Sequence, residues 1–348
     1  MSVPHFRPTT VLVTGGAGFI GSNLCRWLLA HDASVRVINY DLLTYAGNIQ
    51  SLADVEAEHG PRGDGRYYFE RGDIRDAARV GAVLRGSEFP APDAILHLAA
   101  ESHVDRSISA AADFVSTNVQ GTHVLLSCAL EELRARPRAF RFVNVSTDEV
   151  YGSLAPGEPA FTESTPLRPN SPYSASKAGA DCLVRAYGET FGLPCLTTRC
   201  SNNYGPYQFP EKLIPLMISR GLDEEPLPVY GDGQQRRDWL HVLDHVAAIW
   251  AVCTRGDVAA GVYNIGGESE RANIDVVKAI LQRLGKPESL ISHVTDRLGH
   301  DRRYAMDIGQ IRSQLGWSPQ RSFERGLAET VDWYVTNQAW WRNLAAVH

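Results

Sequence analysis

A tyrosine and a lysine stand four residues apart in this sequence, at Tyr173 and Lys177. Residues with this spacing share one face of a helix, so the ammonium group can lie near the phenol. A nearby cation favours the phenolate and lowers the pKa of the tyrosine from about 10 toward physiological pH. The pair is therefore suited to act as a base toward a sugar or alcohol hydroxyl. The same spacing also occurs by chance on many solvated helices.

Two adjacent carboxyl groups, Asp148 and Glu149, follow Thr147 at the end of a predicted strand. A simple dehydrogenase or epimerase needs a hydroxyl and the Tyr–Lys pair, so two added carboxyl groups indicate additional proton transfers. One carboxyl can act as acid and the other as base if their surroundings separate their pKa values. The alternative is that both residues cap the following turn or helix.

The segment from Gly15 to Gly21 matches the pattern GxxGxxG and lies between a predicted strand and a predicted helix. That context is required of a dinucleotide-binding turn, in which glycines let the backbone approach a pyrophosphate. The N-terminus of the helix offers free N–H groups to the anion. Asp41 stands about 20 residues later, where a carboxylate holds the ribose hydroxyls and repels a 2′-phosphate. The pattern therefore favours NAD over NADP, the alternative being a turn without a ligand.

Two more features allow two interpretations each. Asp73, at the end of the third predicted strand, contacts the adenine edge of a dinucleotide or caps a helix. His241 and His245 are four residues apart, but no HExxH pattern or third ligand accompanies them. We therefore predict helix-surface or capping roles for these histidines and no metal site.

These residues must be positioned by elements that the apolar pattern predicts. Strands are predicted at 10–13, 35–40, 67–70, 94–98, 142–145 and 195–199, and helices at 19–30, 77–84, 115–133 and 172–191. Continuous apolar strands separated by helices are typical of a parallel sheet that is covered on both faces. The sequence therefore predicts an α/β fold with a doubly wound parallel sheet. After about residue 171 the pattern loosens, and proline-rich joints between 206 and 228 follow the last predicted strand. This pattern indicates a smaller mixed C-terminal lobe that is interleaved with the sheet.

Composition excludes several classes of protein. The 348 residues carry 34 Lys and Arg against 40 Asp and Glu, a net charge of −6 at pH 7, which argues against extensive binding to nucleic acid. No apolar run approaches the roughly 20 residues that span a bilayer, and no signal sequence is evident. The six cysteines form no CxxC pair, so we expect reduced thiols in a cytoplasmic protein.

From about residue 11 to residue 341 the chain resembles the extended short-chain dehydrogenase/reductase superfamily and, within it, the dTDP-glucose 4,6-dehydratases. The motifs that carry the resemblance are TGGAGFIGSN (14–23), DLLTYAGN (41–48), GDIRD (72–76), LAAESHVDRSI (98–108), STDEVYG (146–152), NSPYSASKA (170–178), RCSNNYGPYQFPEKLIP (199–215), GDGQQRRDWLHVLDH (231–245), YNIGG (263–267) and DRLGHDRRYAMD (296–307). Epimerases of the superfamily typically carry small residues in place of Asp148 and Glu149, so the resemblance favours catalytic roles for this pair. It implies a Rossmann domain for NAD over 9–200, with interleaved later segments, and mainly a sugar-nucleotide lobe over 201–343.

The activity implied by the resemblance is a lyase reaction that converts dTDP-glucose to dTDP-4-dehydro-6-deoxy-glucose and water. NAD would oxidise C4 and return the hydride at C6, and it would remain bound as a prosthetic group. Tyr173, activated by Lys177, would take the proton of the 4-hydroxyl, and Thr147 would hydrogen-bond that oxygen. Glu149 would then take the C5 proton while Asp148 protonates the departing C6 hydroxyl.

The resemblance also implies two sets of contacts. Those to NAD are Gly15, Gly18, Phe19, Ile20, Gly21, Asp41, Leu42, Leu43, Thr44, Asp73, Ile74, Leu98, Ala99, Ala100, Thr117, Tyr173, Lys177 and Asn203. Those to the sugar nucleotide are Ser102, Thr147, Asn202, Lys212, Leu213, Pro228, Tyr230, Arg237, Asn273, His300, Asp301 and Tyr304. Lys212 and Arg237 also suit a diphosphate by their chemistry, although an arginine in an exposed turn is commonly just solvated.

The family's dimer is built by two long helices, which correspond here to segments 113–133 and 172–191. The apolar residues Val115, Leu125, Leu126 and Leu130 are compatible with a homodimer formed there.

Alternatives remain open at this point. The enzyme could act on UDP- or CDP-glucose, since discrimination by one methyl group is worth only about 1–3 kcal/mol. A sugar-nucleotide epimerase or oxidase is a second interpretation, against which the Asp148–Glu149 pair argues. A non-catalytic NAD-binding regulatory protein is a third, against which Tyr173 and Lys177 argue. The product is a branch point, so a rhamnose-type route and other deoxysugar routes are both compatible with the sequence.

Overall fold

The apolar segments of the sequence form the strands of a computed structural model that describes residues 5–296 and 300–345. The strands are β1 (Thr10–Thr14), β2 (Arg36–Asp41), β3 (Tyr67–Arg71), β4 (Ala94–His97), β5 (Arg141–Thr147), β6 (Cys195–Cys200), β7 (Asn202–Tyr204), β8 (Leu227–Tyr230), β9 (Arg236–His241), β10 (Val262–Ile265), β11 (Glu270–Ala272) and β12 (Ile291–Val294). Seven of them form one sheet in the order β10-β6-β5-β4-β1-β2-β3, and all of its pairings are parallel. The predicted doubly wound parallel sheet is confirmed.

Successive residues of a strand point to opposite faces of the sheet. Because these strands carry apolar residues on both faces, helices cover both faces. The α-helices are α1 (Phe19–His31), α2 (Ala53–His59), α3 (Ala77–Arg85), α4 (Val104–Ser109), α5 (Ala111–Phe114), α6 (Thr122–Ala135), α7 (Pro172–Phe191), α8 (Leu213–Leu222), α9 (Val242–Arg255), α10 (Asn273–Leu284), α11 (Gly309–Leu315), α12 (Phe323–Thr336) and α13 (Gln338–Ala345). Val11 and Val13 pack in the apolar core that includes α1 and α9. Leu12, between them, packs in the core that includes α3 and α6.

Helix α7 has the predicted bounds, 172–191, and its ends have local causes. Ser171 and Ser174 form a reciprocal capping box with hydrogen bonds of 3.1 and 3.0 Å, and Pro172 occupies the first turn. Gly192 ends the helix in a left-handed conformation, with φ of 68°. The caps place Tyr173 and Lys177 in the first turns of α7.

The predicted helix at 115–133 is not a continuous α-helix. Residues Val115–Gly121 form a π-helical segment between α5 and α6. Such segments are uncommon and are found at functional sites, and here Thr117 of the segment lines a cavity described below. The apolar periodicity of the sequence does not distinguish the wider turn from an α-helical one.

Residues after about 200 contribute to two parts of the molecule. Helices α8, α10 and α12 enclose an apolar core of their own, and the small sheets β11-β9-β7 and β12-β8 complete the mixed lobe. Strand β10 and helix α9, by contrast, belong to the central sheet and its helical cover. The two parts are therefore interleaved in sequence, and a boundary at residue 200 stays a prediction.

The remaining composition-based expectations concern the membrane and the thiols. None of the helices in residues 5–296 and 300–345 has the length and apolarity needed to span a bilayer. All six cysteines are free, and all except Cys182 are buried.

Candidate active site

A cavity of about 480 Å³ lies at the carboxyl ends of β1, β2, β4, β5 and β6. In parallel sheets, ligands bind beyond the carboxyl ends of the strands where the strand order reverses, here between β1 and β4. The cavity is lined by Tyr173, Lys177, Thr147, Asp148 and Glu149 together with the glycine-rich turn. The structure thus places the two sets of chemical groups in one cavity.

The glycine-rich turn needs glycine at two of the three positions that the motif specifies, Gly15 and Gly21. Gly15 has φ of +72°, and a Cβ there would lie 2.7 Å from the backbone nitrogen of Ala99. A Cβ at Gly21 would lie 2.1 Å from the carbonyl oxygen of Gly15. Gly18 is the N-cap of α1 and provides no side-chain cap, so the first N–H groups of α1 are open to an anion.

Asp41 ends β2 and is held by the backbone of two neighbouring segments. Its Oδ2 accepts a hydrogen bond from Ala17 at 2.9 Å, and its Oδ1 accepts one from Leu43 at 2.7 Å. Burial raises the pKa of Asp41, and the two N–H donors oppose that rise. Asp41 faces the cavity next to the glycine-rich turn, the position expected of a ribose ligand.

The predicted NAD contacts line this cavity with one exception. Those that do are Gly15, Gly18, Phe19, Ile20, Gly21, Asp41, Leu42, Thr44, Asp73, Ile74, Leu98, Ala99, Ala100, Thr117, Tyr173, Lys177 and Asn203. Leu43 is not part of the lining; it adopts φ of 58°, and its N–H orients Asp41.

Asp73 is not a helix cap. Asp76 caps α3 instead, accepting a hydrogen bond from the backbone of Arg79 at 3.0 Å. Asp73 lines the cavity and pairs with the guanidinium group of Arg75 at 2.6 Å. The hydrogen bond from Arg75 is the main cause that lowers the pKa of Asp73, so this side chain is an anion that faces the cavity.

Tyr173 and Lys177 are both buried in the wall of the cavity. Lys177 donates a hydrogen bond from Nζ to the carbonyl oxygen of Val145 at 2.8 Å, and burial lowers its pKa. Burial also raises the pKa of Tyr173 well above its ordinary value, and the charge of Glu149 adds to the rise. The prediction of a lowered tyrosine pKa is therefore wrong for the protein's own groups, because desolvation and nearby carboxylates oppose the phenolate.

The carboxyl pair sits where β5 turns into a 3₁₀ helix, Asp148–Tyr151. Thr147 is the N-cap of this helix, and its hydroxyl accepts a hydrogen bond from the backbone of Glu149 at 3.3 Å. Neither carboxyl group is the cap. Asp148 is 2% exposed, and its Oδ2 has no hydrogen-bond partner among the described residues. Burial and the charge of Glu149 raise the pKa of Asp148 well above its ordinary value, which favours a protonated acid.

Of the predicted substrate contacts, four line the cavity and the others form the adjacent part of the lobe. Ser102, Thr147, Asn202 and Lys212 belong to the lining. Those outside it are Leu213, Pro228, Tyr230, Arg237, Asn273, His300, Asp301 and Tyr304.

Arg237, Asp301 and Tyr304 form a bonded cluster that reaches toward the carboxyl pair. Arg237 lies in β9, is 7% exposed and donates to the carbonyl oxygen of Asp301 at 2.8 Å, so it is not a solvated arginine in an exposed turn. Its guanidinium lies 4.3 Å from the ring centre of Tyr304, and the Tyr304 hydroxyl donates to Asp301 at 2.5 Å. Arg237 lowers the pKa of Asp148, and Glu149 raises that of Tyr304, so the charges of cavity and cluster interact.

The other predicted substrate contacts lie farther along the lobe. Tyr230 ends β8, with its ring 6.3 Å from that of His300, which is bonded to Asp296 at 2.6 Å. Asn273 begins α10, and its buried Oδ1 lacks a partner among the described residues. Pro228 lies within β8, and Leu213 begins α8.

Several polar residues of the cavity were not predicted. Ser146, Cys200 and Ser201 stand at the ends of β5 and β6, and Glu211 stands beside Lys212. The buried hydroxyl oxygen of Ser146 lacks a partner among the described residues. The rule that strand ends face the ligand, applied to every residue there, would have found the first three.

The two histidines of the HxxxH pair have structural roles. His241 caps α9 by accepting a hydrogen bond from the backbone of Leu243 at 3.2 Å. His245 is fully buried and is bonded through Nδ1 to Oδ1 of Asn203 at 2.9 Å, so it does not lie on the helix surface. Burial lowers its pKa to about 3. The described residues contain no cluster of three potential metal ligands.

Comparison with known proteins agrees with this geometry. The family model described as GDP-mannose 4,6 dehydratase matches residues 12–330. A dTDP-glucose 4,6-dehydratase of Xanthomonas campestris pv. campestris (strain B100) is 55% identical over 345 residues, covering 95% of this chain and 94% of that protein. The Escherichia coli dTDP-glucose 4,6-dehydratase is 50% identical over 357 residues, with 96% of each protein covered.

Solved structures give the same result. A double mutant of a dTDP-glucose 4,6-dehydratase from Streptomyces venezuelae, crystallised with NAD, has a TM-score of 0.88 at 50% identity, covering 96% of this chain and 99% of that one. A UDP-glucose 4-epimerase of Thermus thermophilus in complex with NAD has a TM-score of 0.83 at 29% identity, covering 94% and 99%. Because identity is far higher to the dehydratases over nearly the whole chain, this chain belongs to the dTDP-glucose 4,6-dehydratase family.

Proposed function

We propose that this protein is an NAD-dependent lyase that converts dTDP-glucose to dTDP-4-dehydro-6-deoxy-glucose and water. The observation that carries the proposal is the buried Asp148 beside Glu149 in the cavity that holds Tyr173. Asp148 has a raised pKa and a carboxyl oxygen with no hydrogen-bond partner in the described part of the chain. Oxidation of a sugar hydroxyl requires the tyrosine alone as base. Removal of water requires an acid for the leaving hydroxyl and a base for the adjacent proton, which the carboxyl pair provides.

The residues of the cavity fit NAD. The turn at Gly15 and Gly21 has no room for side chains, the N-terminus of α1 is open, and Asp41 faces the place of a ribose. When bound, NAD supplies the acceptor for hydride at C4, the donor for hydride at C6 and a positive ring charge that favours the Tyr173 phenolate. Leu98, Ala99 and the other lining residues would exclude water from the reacting face.

The chain's own groups account for each proton. Tyr173 takes the proton of the 4-hydroxyl, and Thr147 donates a hydrogen bond to that oxygen. The 4-ketone makes the C5 proton acidic, and Glu149 removes it. Asp148, protonated because it is buried, gives its proton to the C6 hydroxyl, which leaves as water. Glu149 then returns a proton to C5. Tyr173 still holds the proton of the 4-hydroxyl and Asp148 has lost one, so the site is restored when Tyr173 releases a proton to solvent and Asp148 takes one up.

Alternative substrates and reactions are not favoured. The curated relatives at 48–55% identity are named dTDP-glucose 4,6-dehydratases, whereas the UDP-glucose 4-epimerases among the solved structures are 27–29% identical. Epimerisation also leaves no role for a buried acid beside a second carboxylate.

We further propose a homodimer formed through α7 and the segment from α5 to α6. Val115 is 55% exposed and Ile108 is 48% exposed near this surface, and Ala175, Cys182 and Ala186 form an exposed row of small residues on α7. Leu125 and Leu126 are fully buried in the protomer, so they do not serve the interface as the sequence suggested. The product carries a ketone and a 6-methyl group, so we also propose that it enters a deoxysugar route such as that to rhamnose.

The decisive experiment is mass spectrometry of dTDP-glucose incubated with the purified protein in deuterated water without added NAD. We expect the loss of one water and the gain of one deuterium on a sugar carbon, because NAD is resident and C5 exchanges with solvent. An isomeric hexose without a change of mass would show an epimerase. Reaction of UDP- or CDP-glucose alone would overturn the nucleobase assignment.

A further inference from the structure

Three segments that line the cavity are joined to one another by side-chain contacts. They are the loop after β2 (42–48), the segment after β4 (98–106) and the segment before α8 (209–212). The guanidinium of Arg106 lies 4.1 Å from the ring centre of Tyr45. The same tyrosine ring makes an edge contact with Phe209, with centroids 6.1 Å apart. Tyr45 therefore contacts both of the other segments.

The sheet order determines what this contact spans. Strand β1 lies between β4 and β2, and the glycine-rich turn follows β1. A contact between the loop after β2 and the segment after β4 must therefore cross the end of β1, where a pyrophosphate binds. Ala46, Gly47 and Ser102 line the cavity, whereas Tyr45 and Arg106 do not. Phe209 belongs to that lining, and the hydroxyl of Tyr45 is buried. The aromatic contact therefore lies directly behind residues that face the cofactor position.

The loop after β2 is fixed at both ends by its backbone. Leu43 donates to Asp41 at 2.7 Å near its start, and Asn48 donates to the carbonyl oxygen of Ala17 at 2.9 Å at its end. Between these points, the ring of Tyr45 joins the loop to the other two segments. Those segments are also joined to each other, since Lys212 donates to the carbonyl oxygen of Ser102 at 3.2 Å.

We propose that Tyr45, held between Arg106 and Phe209, is a positioning residue that closes the cavity over NAD and retains it between turnovers. This inference rests on the proposed function, in which NAD is regenerated at each turnover and need not leave. Cation–π and aromatic contacts hold two segments together without a covalent link, so they slow cofactor release and still allow loading after synthesis.

The test is the retention of NAD by purified protein. Tyr45→Ala and Arg106→Gln are compared with Tyr45→Phe, which keeps the ring, and with Arg342→Gln, which removes a cation–π contact of 4.4 Å with Trp341 on α13. NAD is quantified after gel filtration, and its dissociation is followed by exchange with labelled NAD. We expect the first two variants to release NAD about tenfold faster, because affinity changes appear mainly in dissociation rates. Tyr45→Phe and Arg342→Gln should match the wild type.

The outcomes separate this inference from the proposed function. Added NAD should restore turnover to Tyr45→Ala, which would show that the active site is intact and only retention is lost. Wild-type exchange rates in both Tyr45→Ala and Arg106→Gln would overturn the inference while leaving the dehydratase assignment unaffected. A wild-type protein that neither carries nor binds NAD would overturn both. Arg106 is exposed, so its variant tests the inference even if Tyr45→Ala does not fold.

Discussion

Asp148 and Glu149 are neighbours in sequence but differ in environment. Asp148 is almost completely buried, whereas Glu149 is partly exposed. Burial and the negative charge of Glu149 both raise the pKa of Asp148. Two adjacent carboxyl groups can therefore take opposite roles at one pH, the buried one as acid and its neighbour as base.

Replacing Glu149 by Gln should stop the reaction after the first oxidation. The amide cannot accept the C5 proton, so we expect turnover to fall about 10²–10⁴-fold and reduced cofactor to accumulate on the enzyme. Stopped-flow absorbance of the reduced nicotinamide measures this accumulation. In the matched variant Tyr173→Phe, the first proton transfer is lost and no such signal should form. Equal signals from both variants would contradict the assigned order of steps.

Replacing Asp148 by Asn should change the pH dependence of stability. The folded-state pKa of Asp148 lies well above the usual 3.8, so the folded protein retains a proton that the unfolded chain releases. Its stabilising contribution is complete below that usual value and is lost as pH rises through the raised pKa. As the pH rises from about 5 to about 8, the wild type should therefore lose stability that Asp148→Asn does not lose. The stability of the variant relative to wild type should increase over this range.

The melting temperatures of wild type and Asp148→Asn, measured at about pH 5 and about pH 8, test this prediction. The control is Glu189→Gln on α7, because Glu189 is exposed and should leave the pH dependence unchanged. A melting-temperature difference between wild type and Asp148→Asn that does not vary with pH would refute the prediction.

At the scale of elements, a buried polar network fixes α7 against the ends of β5 and β6. Asp181 of α7 is paired with Arg199 of β6 at 2.9 Å and accepts a hydrogen bond from Asn144 of β5 at 2.9 Å. Lys177, one turn earlier, donates to Val145 of β5. These bonds fix the position of the first turns of α7, which carry Tyr173 and Lys177, relative to the cavity.

Asp181→Asn should destabilise the fold strongly. The side chains of Asp181 and Arg199 are 2% and 8% exposed, and removal of one partner leaves a buried charge uncompensated, at a cost of about 3–5 kcal/mol. The pair Arg185–Glu189 on the same helix is 77% and 68% exposed at 3.7 Å. Glu189→Gln should therefore cost about 0.5 kcal/mol or less. Urea unfolding of both variants makes the comparison, and similar losses would contradict it.

At the scale of the whole molecule, the lobe and the sheet share the site. The cavity supplies the glycine-rich turn, the carboxyl pair and Tyr173, while Arg237 and Tyr304 approach it from the lobe. A substrate with a diphosphate and a sugar would contact both parts.

Trp341 of α13 is buried, and its Nε1 donates to the carbonyl oxygen of Tyr334 at 2.9 Å. This tryptophan therefore packs α13 against the lobe.

The proposed dimer makes a prediction at this scale. Val115 is 55% exposed near the start of the π-helical segment, and a charge there would be buried without a partner in the interface. Val115→Glu should weaken dimerisation at least about tenfold, a change of about 1.4 kcal/mol. Light scattering after gel filtration over a range of concentrations measures it. Val335→Glu on α12, where Val335 is 40% exposed, is the control, and equal behaviour of the two variants would place the interface elsewhere.

The central sheet, the glycine-rich turn and the chemical groups of the site could all be predicted from the amino-acid sequence. Strand and helix periodicities are local, as are the caps at Ser171 and Gly192, so α7 could be predicted with its bounds. Gly15 and Gly21 occupy positions where the backbone leaves no room for a side chain, and the motif identifies both from the sequence. The adjacent carboxyl groups of Asp148 and Glu149 indicated additional proton transfers, and the family resemblance implied that these serve an elimination.

The protonation and the contacts of these groups depend on the fold and could not be predicted from the sequence. The pKa of Tyr173 depends on burial and on carboxylates that reach it through the fold, and sequence spacing with Lys177 gave the wrong direction. The contact of Tyr45 with Arg106 joins residues 61 positions apart in sequence across the end of β1. Electrostatic and packing energies depend on distances in space and on exclusion of water, and a linear pattern contains neither.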